Sequence, residues 1–220
     1  MRIACVTYRD WALKIYDSLA ESSNHTFLII RSQSQYSELA IRDFKPDFIL
    51  FYGWSWIIDE SLLNDFNCIM LHPSPLPKYR GGSPIQNQII NGELFSKVSI
   101  FKMNERLDAG EIYFQKEYSL EGTIDEIFNR ISKIGIELTN KLLNEKVVPF
   151  TQNENEATFY KRRKPIESEI TLDELKNKSG EYLYNKIRML GDPYPNAYFI
   201  TNDGNKLFFK NVELETNTNL

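Results

Sequence analysis

PDFILFYGWSWIIDESLLNDFNCIMLHPSPLPKYRGGSP, residues 46–84, is the stretch on which the fold turns. Residues 46–52 (PDFILFY) and 68–71 (CIML) are short apolar runs of the buried-strand kind, and 59–66 between them reads as a short helix. Upstream the same alternation continues. RIACVT (2–7) is a β-branched apolar run, and Asp10 is placed to cap a helix reading WALKIYDSLAES, with Trp11, Leu13, Ile15, Tyr16 and Leu19 on its apolar face. A further run spans Thr26–Ile30, and polar residues 32–42 read as helix. Apolar runs alternating with amphipathic stretches predict a Rossmann-like, mostly parallel α/β sheet with helices on both faces. Such sheets bind ligands beyond the carboxyl ends of their strands.

Downstream, Ser83 is placed to cap a helix PIQNQIING that Gly92 would end. Lys97–Met103 and Ile112–Ser119 read as strands flanking a turn at Asp108-Ala109-Gly110. Thr123 with Glu126 forms a capping box before a long helix whose stripe is Ile127, Ile131, Ile134, Leu138 and Leu142. That helix would close a main domain over 1–150. Polar residues 151–159 read as a linker. Residues 160–220 then read as a small C-terminal α+β subdomain, with a helix near 172–190 and a hairpin turning at Asn202–Asn205. So short a unit is expected to lean on the main domain for its core.

Composition narrows the function. The 220 residues carry 30 acidic and 26 basic side chains, a net charge of −4, which counts against non-specific binding of nucleic acid by the whole surface. Two cysteines, Cys5 and Cys68, both in apolar segments, exclude a disulfide scaffold and a Cys-rich zinc site. No apolar run reaches the ~20 residues of a membrane span, and MRIACV opens directly into a strand without the regions of a signal peptide. A cytoplasmic protein with no metal, no membrane contact and no nucleic-acid partner is expected. GxGxxG after the first strand, GxxxxGK[ST] and GxSxG are all missing from the sequence.

Of the two histidines, His25 lies in a polar turn. His72 ends the CIML run and opens HPSPLPKYRGGSP, where Pro73, Pro75 and Pro77 fix φ and Gly81-Gly82 permit a tight turn. A rigid loop at the ligand end of a parallel sheet, begun by a titratable base, points to chemistry. Asp108 fits an ordinary turn, and equally a carboxylate that orients His72. Ser74 is a weaker nucleophile candidate, since nothing in the sequence supplies its partners.

MLHPSPLPKYRGGSPIQNQI, followed by MNERLDAGEI, resembles the signature of the 10-formyltetrahydrofolate-dependent formyltransferases: His-x-Ser-x-Leu-Pro-x-x-Arg-Gly, then Leu-Asp-x-Gly. TFYKRRKPIESEI and DPYPNAYF are similar to segments of family members that formylate amino sugars on nucleotides. The resemblance implies 10-formyltetrahydrofolate as formyl donor and a nucleotide-linked amino sugar as acceptor. It places the family's catalytic His and Asp on His72 and Asp108. The family's Asn, two positions before the His, falls on Met70, whose thioether cannot donate a hydrogen bond. Asn67, Gln86, Asn87 and Gln88 are the nearby amides. Tyr52, Trp54, Trp56, Ile57 and Ile58 would line the folate site, with ordinary strand-end packing as the other reading. Arg9, Arg80, Gly81, Lys161, Arg162, Arg163 and Tyr194 would meet the acceptor, planar guanidinium forks suiting its phosphates. A solvated charge run fits 161–164 as well, and hairpin packing fits Tyr194. The rivals are a methionyl-tRNA formyltransferase-like enzyme and a catalytically silent folate- or nucleotide-binding protein. The apolar hairpin is a possible homodimer surface.

Overall fold

The computed structural model describes residues 1–215. Its centre is a six-stranded sheet made of β1 (Arg2–Val6), β2 (Thr26–Ile30), β3 (Phe48–Leu50), β4 (Cys68–His72), β6 (Phe95–Lys102) and β7 (Ile112–Ser119), in the order β2-β1-β3-β4-β6-β7. The first four strands are parallel neighbours, and β6 and β7 then add as an antiparallel pair against β4. Helices cover both faces, and the strand sequences show why. In β1, Ile3 and Cys5 point into one core while Ala4 and Val6 point into the other. A strand buried on both sides must be apolar at every position rather than at alternate ones.

The larger core lies under α1 (Asp10–Ser22) and α5 (Ile124–Asn144). The smaller lies under α2 (Glu38–Phe44) and α3 (Glu60–Asp65), anchored by Ile41 and Leu62. The capping box of α5 is present, with the Thr123 N–H donating to Glu126 at 2.8 Å. Ile127, Ile131, Leu138 and Leu142 of its stripe are buried, each contributing about 1.5–3 kcal/mol.

Several local expectations are corrected. Asp10 begins α1 instead of capping it, because Arg9 takes the cap position. Residues 32–42 split into a 3₁₀ turn at Gln33–Gln35 and α2, which Ser37 caps. Ser83 precedes α4 (Pro84–Ile90) in a left-handed conformation and does not cap it; its hydroxyl accepts from the Arg163 N–H at 3.1 Å. The helix expected near 172–190 is two, α6 (Leu172–Asn177) and α7 (Gly180–Arg188), since Ser179 starts a second cap.

The C-terminal segment is stitched to the main body. Strand β5 (Arg80–Gly81) pairs in parallel with β8 (Phe159–Tyr160), and the hairpin of β9 (Ala197–Ile200) and β10 (Lys206–Phe209) follows. Ile170, Ile187, Met189, Leu190 and Ala197 are buried in the larger core. Residues 151–159 are therefore not a free linker: Gln152 is buried among hydrogen bonds and β8 begins at Phe159. No described helix is long and apolar enough to cross a membrane.

Candidate active site

The carboxyl end of β4 delivers His72 to the floor of a cleft of about 1010 Å³. Its ring is 7% exposed, and Nε2 lies 2.9 Å from the Tyr79 carbonyl, an acceptor only. That bond puts the proton on Nε2 and turns Nδ1 toward Asp108, whose Oδ2 is 3.7 Å away. The same Oδ2 accepts from the Gly81 N–H at 2.8 Å. Asp108 holds a left-handed backbone, φ 48°. The turn reading of Asp108 is realised, and the turn presents its carboxylate to His72.

The proline loop is fixed by hydrogen bonds that use its other polar groups. Ser74 is fully buried and donates to the Lys78 carbonyl, so it is no nucleophile. Gln88 Nε2 donates to the carbonyls of Pro73 and Pro84, and Asn87 Nδ2 to that of Gly82. Gly81 and Gly82 answer to more than a turn. A Cβ on Gly81 would stand 2.4 Å from the Tyr160 carbonyl oxygen, and one on Gly82 would stand 2.3 Å from the Arg162 nitrogen. Glycine is required there because the 159–163 backbone passes so close.

Two expected site residues have other employment. Tyr52 is fully buried, with its hydroxyl on Thr139 at 2.9 Å and its backbone N–H on the Tyr16 hydroxyl at 2.8 Å. It belongs to the core beneath the cleft because β3 turns it toward α5. Arg80 is 1% exposed. Its guanidinium donates to Gln152 Oε1 at 2.7 and 3.2 Å and to both carboxylate oxygens of Glu154 at 2.9 and 3.0 Å. Four of its five N–H donors are engaged and the side chain is buried, so it presents no fork to an acceptor phosphate. Gln152 in turn donates to the carbonyls of Asp108 at 2.9 Å and Gly110 at 2.7 Å. Arg80 thus braces the Asp108 turn from behind. Sequence inspection passes over Gln152, which sits in a polar stretch with no motif.

The remaining candidates line the same cleft as His72 and Asp108, and its lining falls by chain segment into two groups, or arms. One arm runs between the 53–58 loop and residues 103–108. Trp54 and Ile58 are its buried walls, and Trp56 (38% exposed) and Ile57 (fully exposed) form its rim. The Trp54 indole N–H is buried without a partner among the described residues. Met70 lines this arm in place of an amide. The other arm is bounded by Arg9, Trp11, Gln86, Phe128, Leu190 and Tyr194. Arg9 stacks over Tyr8 at 4.4 Å and near Tyr194 at 5.5 Å. Tyr194 is pushed up by burial, against a smaller opposing effect of the Arg9 cation. Gly81, Lys161, Arg162 and Arg163 line the seam, with Arg162 donating to Ser55 at 2.8 Å. The charge run is in part engaged and in part a cationic border to the cleft.

A family model described as formyl transferase matches residues 18–143. The chain is 37% identical over 177 residues to the methionyl-tRNA formyltransferase of Campylobacter lari, covering 79% of this chain and 55% of that one. It spans about half the length of the curated relatives it matches. Among solved structures, a methionyl-tRNA formyltransferase from Clostridium thermocellum superposes with a TM-score of 0.88 at 34% identity, covering 98% of this chain and 94% of that one. A 4-N formyltransferase from Francisella tularensis superposes with a TM-score of 0.75 at 25% identity, covering 98% of both chains.

Proposed function

The chain belongs to the formyl transferase family, and from that premise we propose that it moves a formyl group from 10-formyltetrahydrofolate to a primary amine on a phosphate-bearing acceptor. The observation that carries this reading is the His72–Asp108 pair in the wall of the cleft. The arm walled by Trp54 and Ile58 suits a flat pterin: its 53–58 side is aromatic and aliphatic, and Asn104, Glu105 and Arg106 add polar groups. The donor supplies an activated one-carbon unit; this chain's residues supply its setting.

Because Nε2 is tied to the Tyr79 carbonyl, Nδ1 is the working nitrogen of His72. Protonated, it donates toward the negative charge that develops on the formyl oxygen, and an aimed donor of this kind is worth about 2.7–4 kcal/mol. Neutral, its lone pair takes a proton from the attacking amine and passes it to N10 as the bond between the formyl carbon and N10 breaks and tetrahydrofolate leaves, a role worth about 10²–10⁴ in rate. Asp108, fixed by the Gly81 N–H, holds that proton in place. With Met70 in the place of a family amide, His72 carries more of the stabilisation.

Two acceptors fit. Methionyl-tRNA is favoured by sequence, since the relatives at 34–37% identity carry that name. A nucleotide-linked amino sugar is favoured by charge economy. The cleft border has one short cationic run, Lys161–Lys164, in a chain of net charge −4. That suits a few phosphates better than a long polyanion, whose binding scales with the phosphates neutralised. Incubation with labelled formyl donor and each acceptor tests the reading. Label on either amine supports formyl transfer, and its absence from both, with ligand bound, supports the silent binder instead.

A further inference from the structure

Gln86 lies on α4 and lines the acceptor arm opposite Tyr194. It is 1% exposed, and neither its amide nitrogen nor its amide oxygen has a hydrogen-bond partner among the described residues. Its neighbours behave otherwise. Asn87 donates to Gly82 and Gln88 to Pro73 and Pro84, while Ser96 donates to Gln88 Oε1 at 2.6 Å. The helix can therefore satisfy its amides, and Gln86 alone among these three is left without a partner, at the cleft lining. Tyr194 lies close enough for Gln86 to lower its pKa slightly against the effect of burial, yet the two fall short of hydrogen-bond geometry. A buried amide with both groups unpaired is costly, and its two groups together ask for a ligand that accepts from one and donates to the other.

The rest of the arm restricts that ligand. Trp11, Phe128, Leu190 and Pro195 offer apolar and aromatic faces, and Arg9 stands at the edge. A pyranose ring matches both features, with C–H faces for the aromatic walls and vicinal hydroxyls that donate and accept. The aminoacyl end of methionyl-tRNA offers an amine, an ester carbonyl and a single free ribose hydroxyl, but no vicinal hydroxyl pair, since esterification takes the other hydroxyl.

We propose that Gln86 is a specificity-determining residue that reads a vicinal hydroxyl pair on the ring bearing the reacting amine, so that the arm selects an amino sugar. The proposal rests on the formyl-transfer reading of the cleft and deepens it.

The test measures kcat/KM for labelled formyl transfer by wild type and Gln86→Leu on a nucleoside-diphosphate-linked 4-amino-4-deoxyhexose, its 3-deoxy analogue, and methionyl-tRNA. Wild type is expected to lose about 10–100-fold on the deoxy analogue, the scale of an unpaired buried group. Gln86→Leu should treat the two sugars alike. Its melting temperature should not fall, because Leu removes two unpaired polar atoms without leaving a cavity. A variant that keeps the discrimination, or that melts earlier as loss of a bonded structural amide would require, overturns the proposal. Formylation of methionyl-tRNA but of neither sugar overturns it while leaving formyl transfer intact. Label on none of the three acceptors overturns both.

Discussion

At the scale of single residues, the account depends on which nitrogen of His72 faces the cleft. The Tyr79 carbonyl fixes Nε2 as a donor, so His72→Asn loses both that bond and the working nitrogen. Turnover should fall at least about 10³-fold, the upper end for one oxyanion donor, while circular dichroism shows a folded chain. Asp108→Ala should do the same, and near-wild-type rates in either variant would remove that residue from the chemistry. Gln152→Leu strips the bonds that hold the Asp108 and Gly110 carbonyls. Because it touches no substrate, kcat is expected to fall about 10–100-fold at unchanged acceptor KM, the signature of a misplaced catalytic group; a change confined to KM would contradict that role. Cys68 opens β4 and is buried in the smaller core, with its thiol pushed up to about 12 by burial, so the native protein should resist alkylation at pH 8 until it unfolds. His72 and Asp108 were legible in the sequence because a proline-stiffened loop and a Leu-Asp-x-Gly turn are local patterns. Tyr52, Arg80 and Gln152 were not. Their roles follow from which face of β3 points to α5 and from a contact between residue 80 and residues 152–154, and neither is written in any window of neighbouring residues.

At the scale of elements, the strand runs and the capping box of α5 were readable because burial on two faces and helix starts leave dense local signatures. The C-terminal segment was harder. Its α6–α7 break is set by the Ser179 cap within a stretch helical in propensity, and its core residues complete a core built mostly elsewhere. The Gly81-Gly82 pair is the element-scale feature with the sharpest consequence. Gly82→Ala drives a methyl into the Arg162 backbone, so it should cost about 1–3 kcal/mol by overpacking and pull β8 from β5. Protease sensitivity around 158–165 would report this, and an unchanged melt would show that the strand pair tolerates separation. Lys186 and Glu174 pin α7 to α6 through a 2.6 Å contact with both side chains largely buried. Burial alone would raise the Glu174 carboxyl, but Lys186, the Thr171 N–H and Tyr182 outweigh it and hold its pKa low. A depressed folded pKa stabilises above the unfolded value of about 4.3 and is lost as pH falls through the folded one. Hydrogen exchange in 170–190 should therefore quicken below about pH 4 and should be quick at neutral pH in Glu174→Gln. Equal protection of wild type and Glu174→Gln at pH 7 would remove the pair from the account.

At the scale of the whole molecule, a parallel sheet presents its ligand end, an added antiparallel pair brings Asp108 back beside His72, and the C-terminal segment closes one arm of the cleft. The imidazole and the carboxylate stand in the wall of that cleft. The most direct test follows the label itself. The protein is mixed with 10-formyltetrahydrofolate labelled in its formyl carbon and with a nucleotide-linked amino sugar or methionyl-tRNA, and the nitrogen-bound label is counted with and without the His72→Asn substitution. Label should pass to one of the two amines with wild-type protein and stay on the folate with the variant. Equal transfer by both proteins, or none by wild type with either acceptor, would contradict the account.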